Sequence, residues 1–163
     1  MAKKYALGLD FGTNSVRSLV VNVATGEEVG THVALYKSGD EGVITDSLNP
    51  HLARQNPKDW LDGLEESVKK AVEAARSDPD FSPERIIGIG VDTTGSTPLP
   101  VDEKLTPLCF YEEFRGNKNA LAWLWKDHTS AEEAAKITEI AREIRPQYLA
   151  TVSYTHLTLP TKA

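Results

Sequence analysis

A chain of 163 residues, 40% hydrophobic and 26% charged, has the size and composition of one compact domain with a substantial core. Its formal net charge is −6 with no basic stripe, which argues against nucleic acid as a partner, and no apolar run is long enough to cross a membrane. The single cysteine, Cys109, cannot form an internal disulfide, so we expect a cytoplasmic location.

The N-terminal part of the sequence predicts an antiparallel meander of three strands. Apolar runs cover residues 5–11 and 16–23, and Gly12-Thr13-Asn14-Ser15 between them has the composition of a hairpin turn. A second turn leads into a third strand over 27–35. We interpret the polar stretch 37–55 as a long loop, and long loops in compact domains are often functional.

A helix and a buried strand follow in the sequence. Asn56-Pro57-Lys58-Asp59 predicts a helix start with Asn as the N-cap and Pro at the first helical position, and Ser77-Asp78-Pro79-Asp80 ends that helix. The β-branched run 86–91 is typical of a strand buried on both faces. We expect a loop of small residues over 93–100, then a strand and a turn over 100–108.

The last predicted helix begins at Ser130, which together with Glu133 has the pattern of a capping box, and it ends at Pro146. The element order is therefore strand, strand, strand, helix, strand, loop and helix, which predicts an α/β fold. Three antiparallel strands followed by a helix and a buried strand are the start of a ribonuclease-H-like, or actin-like ATPase, domain.

The turn after the first strand is the first candidate site. A tight strand–turn–strand over Gly12-Thr13-Asn14-Ser15 brings backbone N–H groups and small polar side chains together, and its glycine lets the backbone approach a phosphate closely. Asp10 is placed to hold hydrated Mg²⁺, and Arg17 can stabilise charge on a transferred phosphoryl group. A polar hairpin turn with a solvated arginine is the alternative that so short a motif leaves open.

The stretch GVDTTGSTP, residues 90–98, is the second candidate site. It places many small hydroxyl groups at the carboxyl end of a strand, which is where ligands lie in open α/β sheets. A polyhydroxylated sugar needs many such donors and acceptors. A serine- and threonine-rich turn that serves only the fold is the alternative.

The stretch WLWKDHT, residues 123–129, is the third candidate site. Asp127 can accept hydrogen bonds from sugar hydroxyls, and Trp125 can pack against a sugar face. Alternatively, both tryptophans belong to the core and Asp127 lies on a solvated approach to the next helix. No metal-ligand spacing joins the four histidines or the cysteine.

Together the three motifs resemble the FGGY carbohydrate kinases. GLDFGTNSVRSLVV, residues 8–21, is similar to the first phosphate motif of the sugar-kinase, chaperone and actin superfamily. GIGVDTTGSTPLPVDEKL, residues 88–105, and WLWKDHT are similar to segments of the bacterial ribulokinase branch. The resemblance covers about residues 3–150 and implies the incomplete N-terminal part of an actin-like ATPase domain.

The resemblance also implies cofactors, substrates and site residues. It implies that L-ribulose and ATP with Mg²⁺ are the ligands and that the 5-hydroxyl of the sugar is phosphorylated. The residues expected at the ATP phosphates and Mg²⁺ are Asp10, Gly12, Thr13, Asn14, Ser15 and Arg17. Those expected at the sugar are Gly95, Ser96, Thr97 and Asp127.

The general-base aspartate of this family lies beyond the matched stretch, so the resemblance implies that it belongs to a missing C-terminal half. We therefore expect this chain to be inactive by itself, and the complete enzyme to be a candidate homodimer. Two alternatives stay open. One is another pentulose kinase, acting on D-ribulose or xylulose, and the other is a non-catalytic, nucleotide-binding actin-like module.

The tail, residues 151–163, differs from the rest of the chain. TVSYTHLTLPTKA contains no acidic residue and does not resemble the family, so we place a boundary after residue 150. The string is similar to the translated read-through that arises when a sequencing adapter is joined to a truncated gene fragment. A divergent native strand is the alternative.

Overall fold

The computed structural model describes residues 2–147. Its contacts divide the chain into two units, Met1–Asp127 and His128–Ala163. The predicted boundary after residue 150 and the predicted tail lie outside the described residues. Among the described residues, no helix combines the length and the apolar character that crossing a membrane requires.

The first unit holds the strands and one long helix. Their bounds are β1 Tyr5–Phe11, β2 Ser15–Asn22, β3 Glu28–Leu35, β4 Ile44–Asp46, β5 Asn49–Gln55, α1 Pro57–Ala75, β6 Ile86–Thr93 and β7 Ala122–Trp123. Short 3-10 turns lie at Pro83–Arg85, Leu108–Phe110, Glu112–Phe114 and Lys118–Ala120. The second unit holds α2, Ala131–Ile144.

Four strands form the main sheet in the order β3-β2-β1-β6. The pairs β1–β2 and β2–β3 are antiparallel, because short turns join these strands, whereas β6 returns after α1 and pairs parallel to β1. The predicted meander, helix and following strand are therefore confirmed, as is the α/β class.

Helix α1 lies unusually close to the main sheet. Its start follows the prediction, since the side chain of Asn56 accepts a hydrogen bond from the backbone N–H of Lys58. The buried side of α1 consists mainly of small residues, among them Gly63, whereas the larger Leu61 is 57% exposed. Small side chains are needed there because the backbones approach so closely that larger ones would not fit.

The prediction of a loop over residues 37–55 is wrong, because this stretch contains β4 and β5. These strands form a second sheet with β7, in the order β4-β5-β7. The sequence does not predict β5, because Arg54 and Gln55 are polar but buried, each 1% exposed. Arg54 forms an ion pair with Asp127, and the Gln55 amide donates to the carbonyl of Thr13. No local alternation of polar and apolar residues can indicate such distant partners.

The prediction that both faces of β6 are buried is also wrong. Ile87, Ile89 and Val91 are 60%, 64% and 62% exposed. Helix α1 packs on β2 and β3, and β6 lies at the other end of the sheet order. A β-branched run indicates a strand, but the neighbours that cover it are decided by the tertiary structure.

The predicted strand over 100–108 is reduced to a turn. Val101 and Pro107 form an isolated antiparallel bridge, and the Asp102 carboxylate accepts hydrogen bonds from the backbone N–H groups of Lys104 and Thr106. A side chain that pairs with its own turn in this way favours a loop over an extended strand.

Helix α2 forms as predicted, but without the predicted capping box. The side chain of Ser130 makes no capping hydrogen bond, and its backbone has φ −103° and ψ 20°. A serine N-cap normally needs an extended backbone to reach the N–H groups of the first turn. The helix ends at Ile144, before Pro146, as expected.

Candidate functional site

The loop between β1 and β2, residues 12–14, is held from several sides. Within the hairpin, the N–H of Gly12 donates to the carbonyl of Ser15 at 2.9 Å. From the end of β3, the N–H of Tyr36 donates to the carbonyl of Asn14 at 2.9 Å. The Asn14 side-chain amide donates to the carbonyl of Glu41 at 2.7 Å. The predicted phosphate-binding turn therefore has a defined conformation, which backbone recognition of an anion requires.

Two side chains from the second sheet and its neighbourhood also contact this β1–β2 loop at Thr13. The side-chain amide of Gln55 donates to the Thr13 carbonyl at 2.7 Å. The indole N–H of Trp125 lies 3.1 Å from the Thr13 hydroxyl oxygen. The first and third sequence motifs thus meet at Thr13, although 112 positions separate Trp125 from it.

Three charged side chains lie in a row across the main sheet. Asp10 on β1 is the register partner of Arg17 on β2 and of Asp92 on β6. Register partners point to the same face, and the three residues line one cavity of about 330 Å³ together with Gly8 and Gly90. The sequence predicts no metal role for Asp92, because its position beside Asp10 depends on the parallel pairing of β1 with β6.

This row suits a hydrated Mg²⁺ ion. Mg²⁺ usually takes one or two protein carboxylates and keeps several waters, and Asp10 with Asp92 offers two carboxylates on one exposed face. Within residues 2–147, no group of three or more His, Cys, Asp and Glu side chains is arranged to hold a metal. The residues therefore fit an ion that keeps most of its waters, and the guanidinium of Arg17 suits an anion beside it.

A second cavity, of about 240 Å³, joins the first and second motifs. It is lined by Phe11, Gly12, Trp60, Thr93, Thr94 and Thr97. The N–H of Thr94 donates to the carbonyl of Phe11 at 3.0 Å, which continues the pairing of β1 with β6 into the loop. The threonine hydroxyls thus lie beside the glycine of the β1–β2 loop. Phe11 and Trp60 were not predicted as site residues, because apolar side chains near a site have no sequence signal of their own.

Gly95 and Ser96 of the second motif lie in the same loop and are exposed. Ser96 has a φ of 54°, in the left-handed region that non-glycine residues seldom adopt. A Cβ on Gly95 would meet no heavy atom within 4 Å, so the space beside it is open. Strain of this kind often occurs at binding sites, where the backbone is held for a ligand.

The third motif combines a buried and an exposed side chain. The Asp127 side chain is 3% exposed, forms an ion pair with Arg54, and accepts a hydrogen bond from the N–H of Ala53 at 2.7 Å. The Arg54 guanidinium lies 3.7 Å from the ring centroid of Trp123. Trp125, in contrast, is 56% exposed. The expected sugar contact through Asp127 stays a prediction, and these contacts give Asp127 a structural role as well.

Tyr36 lies behind the site, in the core cluster with Val16 and Ala34. Burial raises the pKa of Tyr36, and the negative charges of Asp59 and Asp10 raise it further. Tyr36 is therefore a neutral packing residue at physiological pH, and it supports the β1–β2 loop through its backbone N–H.

The chain matches one family model and many curated proteins. The model described as the FGGY family of carbohydrate kinases, N-terminal domain, matches residues 5–159. A ribulokinase of Vibrio parahaemolyticus is 40% identical over 139 residues, which is 85% of this chain and 24% of that protein. A ribulokinase of Shouchella clausii is 41% identical over 152 residues, 91% of this chain and 26% of that protein. The chain therefore spans about a quarter of the length of the curated relatives that it matches.

Solved structures share the fold. A xylulose kinase from Brucella ovis superimposes with a TM-score of 0.62 at 25% identity, covering 86% of this chain and 25% of that one. A gluconate kinase from Lactobacillus acidophilus gives a TM-score of 0.64 at 14% identity, covering 85% and 23%. The latter likeness concerns the fold alone. The expected actin-like α/β fold, represented here by part of its N-terminal domain, is thereby confirmed.

Proposed function

The chain belongs to the FGGY family of carbohydrate kinases, and on that basis we propose that it is the ATP-phosphate-binding part of a ribulokinase. The complete enzyme would transfer the γ-phosphate of MgATP to the 5-hydroxyl of L-ribulose, a step in arabinose use. The observation that carries this proposal is the row of Asp10, Arg17 and Asp92 beside the β1–β2 loop. The choice of sugar rests on the names of the relatives, which are 35–41% identical ribulokinases.

The proposed phosphate site uses backbone groups and one cation. The N–H groups of the β1–β2 loop, with the side chains of Thr13, Asn14 and Ser15, bind phosphate oxygens, and Gly12 allows their close approach. Arg17 stabilises the charge of the transferred group. Asp10, with Asp92 beside it, would hold a hydrated Mg²⁺ ion, and the ion would neutralise phosphate charge.

The proposed sugar site lies at the carboxyl ends of β1 and β6. Gly95, Ser96 and Thr97 are proposed to contact the sugar hydroxyls, and the cavity that Thr97 shares with Gly12 supports this placement. Asp127 is proposed as a further sugar contact. The general base is expected in the part of the relatives that this chain does not span. A cytoplasmic location and a homodimer of the whole enzyme also stay predictions.

The test is a coupled assay of ADP release by the product of the full reading frame, with L-ribulose, D-ribulose and D-xylulose. We expect kcat/KM to be highest for L-ribulose. A clear preference for xylulose would refute the choice of sugar and leave the kinase assignment standing. Absence of sugar-dependent ADP release with all three pentuloses would refute the assignment as a pentulose kinase.

An assay of the 163-residue chain by itself distinguishes a kinase fragment from an independent binding module. Phosphoryl transfer depends on positioning and electrostatics, so a chain without the general base should show no turnover and at most weak binding of MgADP. Tight, saturable MgADP binding by this chain, measured by calorimetry, would favour the non-catalytic nucleotide-binding module.

A further inference from the structure

Gln55, the last residue of β5, has an unusual environment for an amide side chain. It is 1% exposed, and its Nε2 donates to the carbonyl of Thr13 at 2.7 Å. Its Oε1 is buried and has no hydrogen-bond partner within residues 2–147. The orientation of the amide is defined, because a flip would place Oε1 against the Thr13 carbonyl oxygen.

Gln55 contributes a buried side chain to the support of the β1–β2 loop. The contact from Trp125 and the contact that Asn14 makes to Glu41 are formed by exposed side chains. Because the Gln55 side chain is removed from water, its hydrogen bond competes with water less than the contacts made by the exposed side chains do. Gln55 is itself fixed, because β5 is paired on both sides, with β4 and with β7.

The direction of this contact determines where the next N–H group points. In a trans peptide the C=O of one residue and the N–H of the next point in opposite directions, and the described residues contain no cis peptide bond. A Thr13 carbonyl held towards β5 therefore turns the N–H of Asn14 away from β5. Within residues 2–147 that N–H has no acceptor, so it is available to an anion.

Stability alone does not explain a glutamine at this position. A buried acceptor without a partner is costly, and a methionine of similar length would fill the space without that cost. Residues that break such a local rule are expected mainly at functional sites.

From these contacts we infer that Gln55 is a positioning residue of the β1–β2 loop. By holding the Thr13 carbonyl, it keeps the Asn14 N–H directed at a nucleotide phosphate. This inference rests on the proposed kinase function and extends it to a residue outside the three sequence motifs. Gln55 itself does not contact the phosphate.

The test compares Gln55→Met and Gln55→Glu in the kinase made from the full reading frame. Gln55→Met keeps the volume and loses the donor, so we expect kcat/KM for MgATP to fall about tenfold, with KM for the sugar unchanged and Tm not lowered. In Gln55→Glu, burial raises the pKa of the new carboxyl, and its protonated O–H can donate to the Thr13 carbonyl. Its kcat/KM for MgATP should therefore approach wild type at low pH and fall as the carboxyl ionises.

The outcomes separate the two proposals. If the wild-type kinase transfers phosphate and Gln55→Met keeps the wild-type kcat/KM for MgATP, the positioning role alone is overturned. It is also overturned if kcat/KM falls in both variants in parallel with Tm and Gln55→Glu shows no pH dependence. A wild-type protein without sugar-dependent ADP release would overturn the kinase proposal and this inference with it. If Gln55→Met does not fold, the pH profile of Gln55→Glu relative to wild type decides.

Discussion

Arg54 and Asp127 are the residues whose role the structure changes most. Their side chains, 1% and 3% exposed, form an ion pair inside the first unit, and the pair joins β5 to the segment after β7. Burial lowers the pKa of Arg54, because the charged guanidinium loses water contacts. A pair buried in this way is strongly destabilising to break, even where its net contribution is small.

Asp127→Leu should therefore lower the free energy of unfolding by about 3–5 kcal/mol, because it leaves the Arg54 guanidinium and the Ala53 N–H without their carboxylate. The double variant Arg54→Met/Asp127→Leu should lose less free energy of unfolding than Asp127→Leu alone. Urea denaturation of the 163-residue chain and of each variant measures these free energies. Asp62→Asn, which breaks an exposed pair with Lys58, is the control and should cost at most about 0.5 kcal/mol. Equal losses for Asp127→Leu and the control would contradict a buried pair.

Asp78 links the start of β1 to the end of α1. Its carboxylate accepts hydrogen bonds from the backbone N–H of Asp80, from Lys3 and from the hydroxyl of Tyr5. The backbone N–H of Asp80 is the largest cause that lowers the pKa of Asp78 below its ordinary value of 3.8, with Lys3 and Tyr5 adding to it.

A carboxylate whose pKa is lowered by folding stabilises the folded state above its unfolded pKa, and this contribution is lost as the pH falls through the folded value. The chain should therefore lose stability below about pH 4, and Asp78→Asn should lose less than wild type between pH 6 and pH 3. Denaturation at both pH values measures the difference. Identical pH-dependent losses would show that Asp78 is not among the groups responsible.

At the scale of elements, the contact of α1 with the sheet depends on small residues on both sides. The hydroxyls of Ser18 and Ser67 form a buried hydrogen bond of 2.7 Å across this contact. A Cβ on Gly30 of β3 would lie 2.3 Å from the carbonyl oxygen of Ala71 and 2.6 Å from the N of Ala75. These are backbone atoms of α1, so only a shift of the helix could make room.

Gly30→Ala should accordingly lower the free energy of unfolding by about 2–3 kcal/mol through overpacking. Gly88→Ala is the matched control, since a Cβ there meets nothing within 4 Å, and it should be neutral or stabilising by up to about 1 kcal/mol. Chemical denaturation of the two variants compares them directly. If the two substitutions have the same effect, α1 does not lie as close to β3 as described.

At the scale of the whole molecule, β6 leaves an apolar surface uncovered. No described strand pairs with the outer edge of β6, and its side chains Ile87, Ile89 and Val91 are exposed. Exposed edges of this kind favour edge-to-edge pairing between chains.

The 163-residue chain should therefore self-associate as its concentration rises, and Ile89→Lys should reduce this association without lowering Tm. Sedimentation velocity over a concentration series measures the effect. Leu61→Lys, which places the same charge at an exposed position of α1, should change association little. Equal effects of the two lysines would indicate that net charge, rather than the edge of β6, governs association.

Local sequence patterns predict only part of the candidate site. The turn at Gly12, the hydroxyl-rich loop after β6 and the segment around Trp125 were each recognised from neighbouring residues, because turn chemistry and short motifs are local. Asp92 and Gln55 have no such local signal. Asp92 is the register partner of Asp10 and Gln55 donates to the carbonyl of Thr13, and no spacing in the chain indicates either relation.

By itself, the sequence determined the element order of the first sheet, the start of α1 and the family. Strand runs, glycine turns and an Asn–Pro helix start depend on backbone preferences of adjacent residues. Only the tertiary structure decided that 37–55 contains two strands, that β6 is exposed and that Arg54 meets Asp127. Burial and pairing are properties of a residue's neighbours in space, and those neighbours lie tens of positions away in the chain.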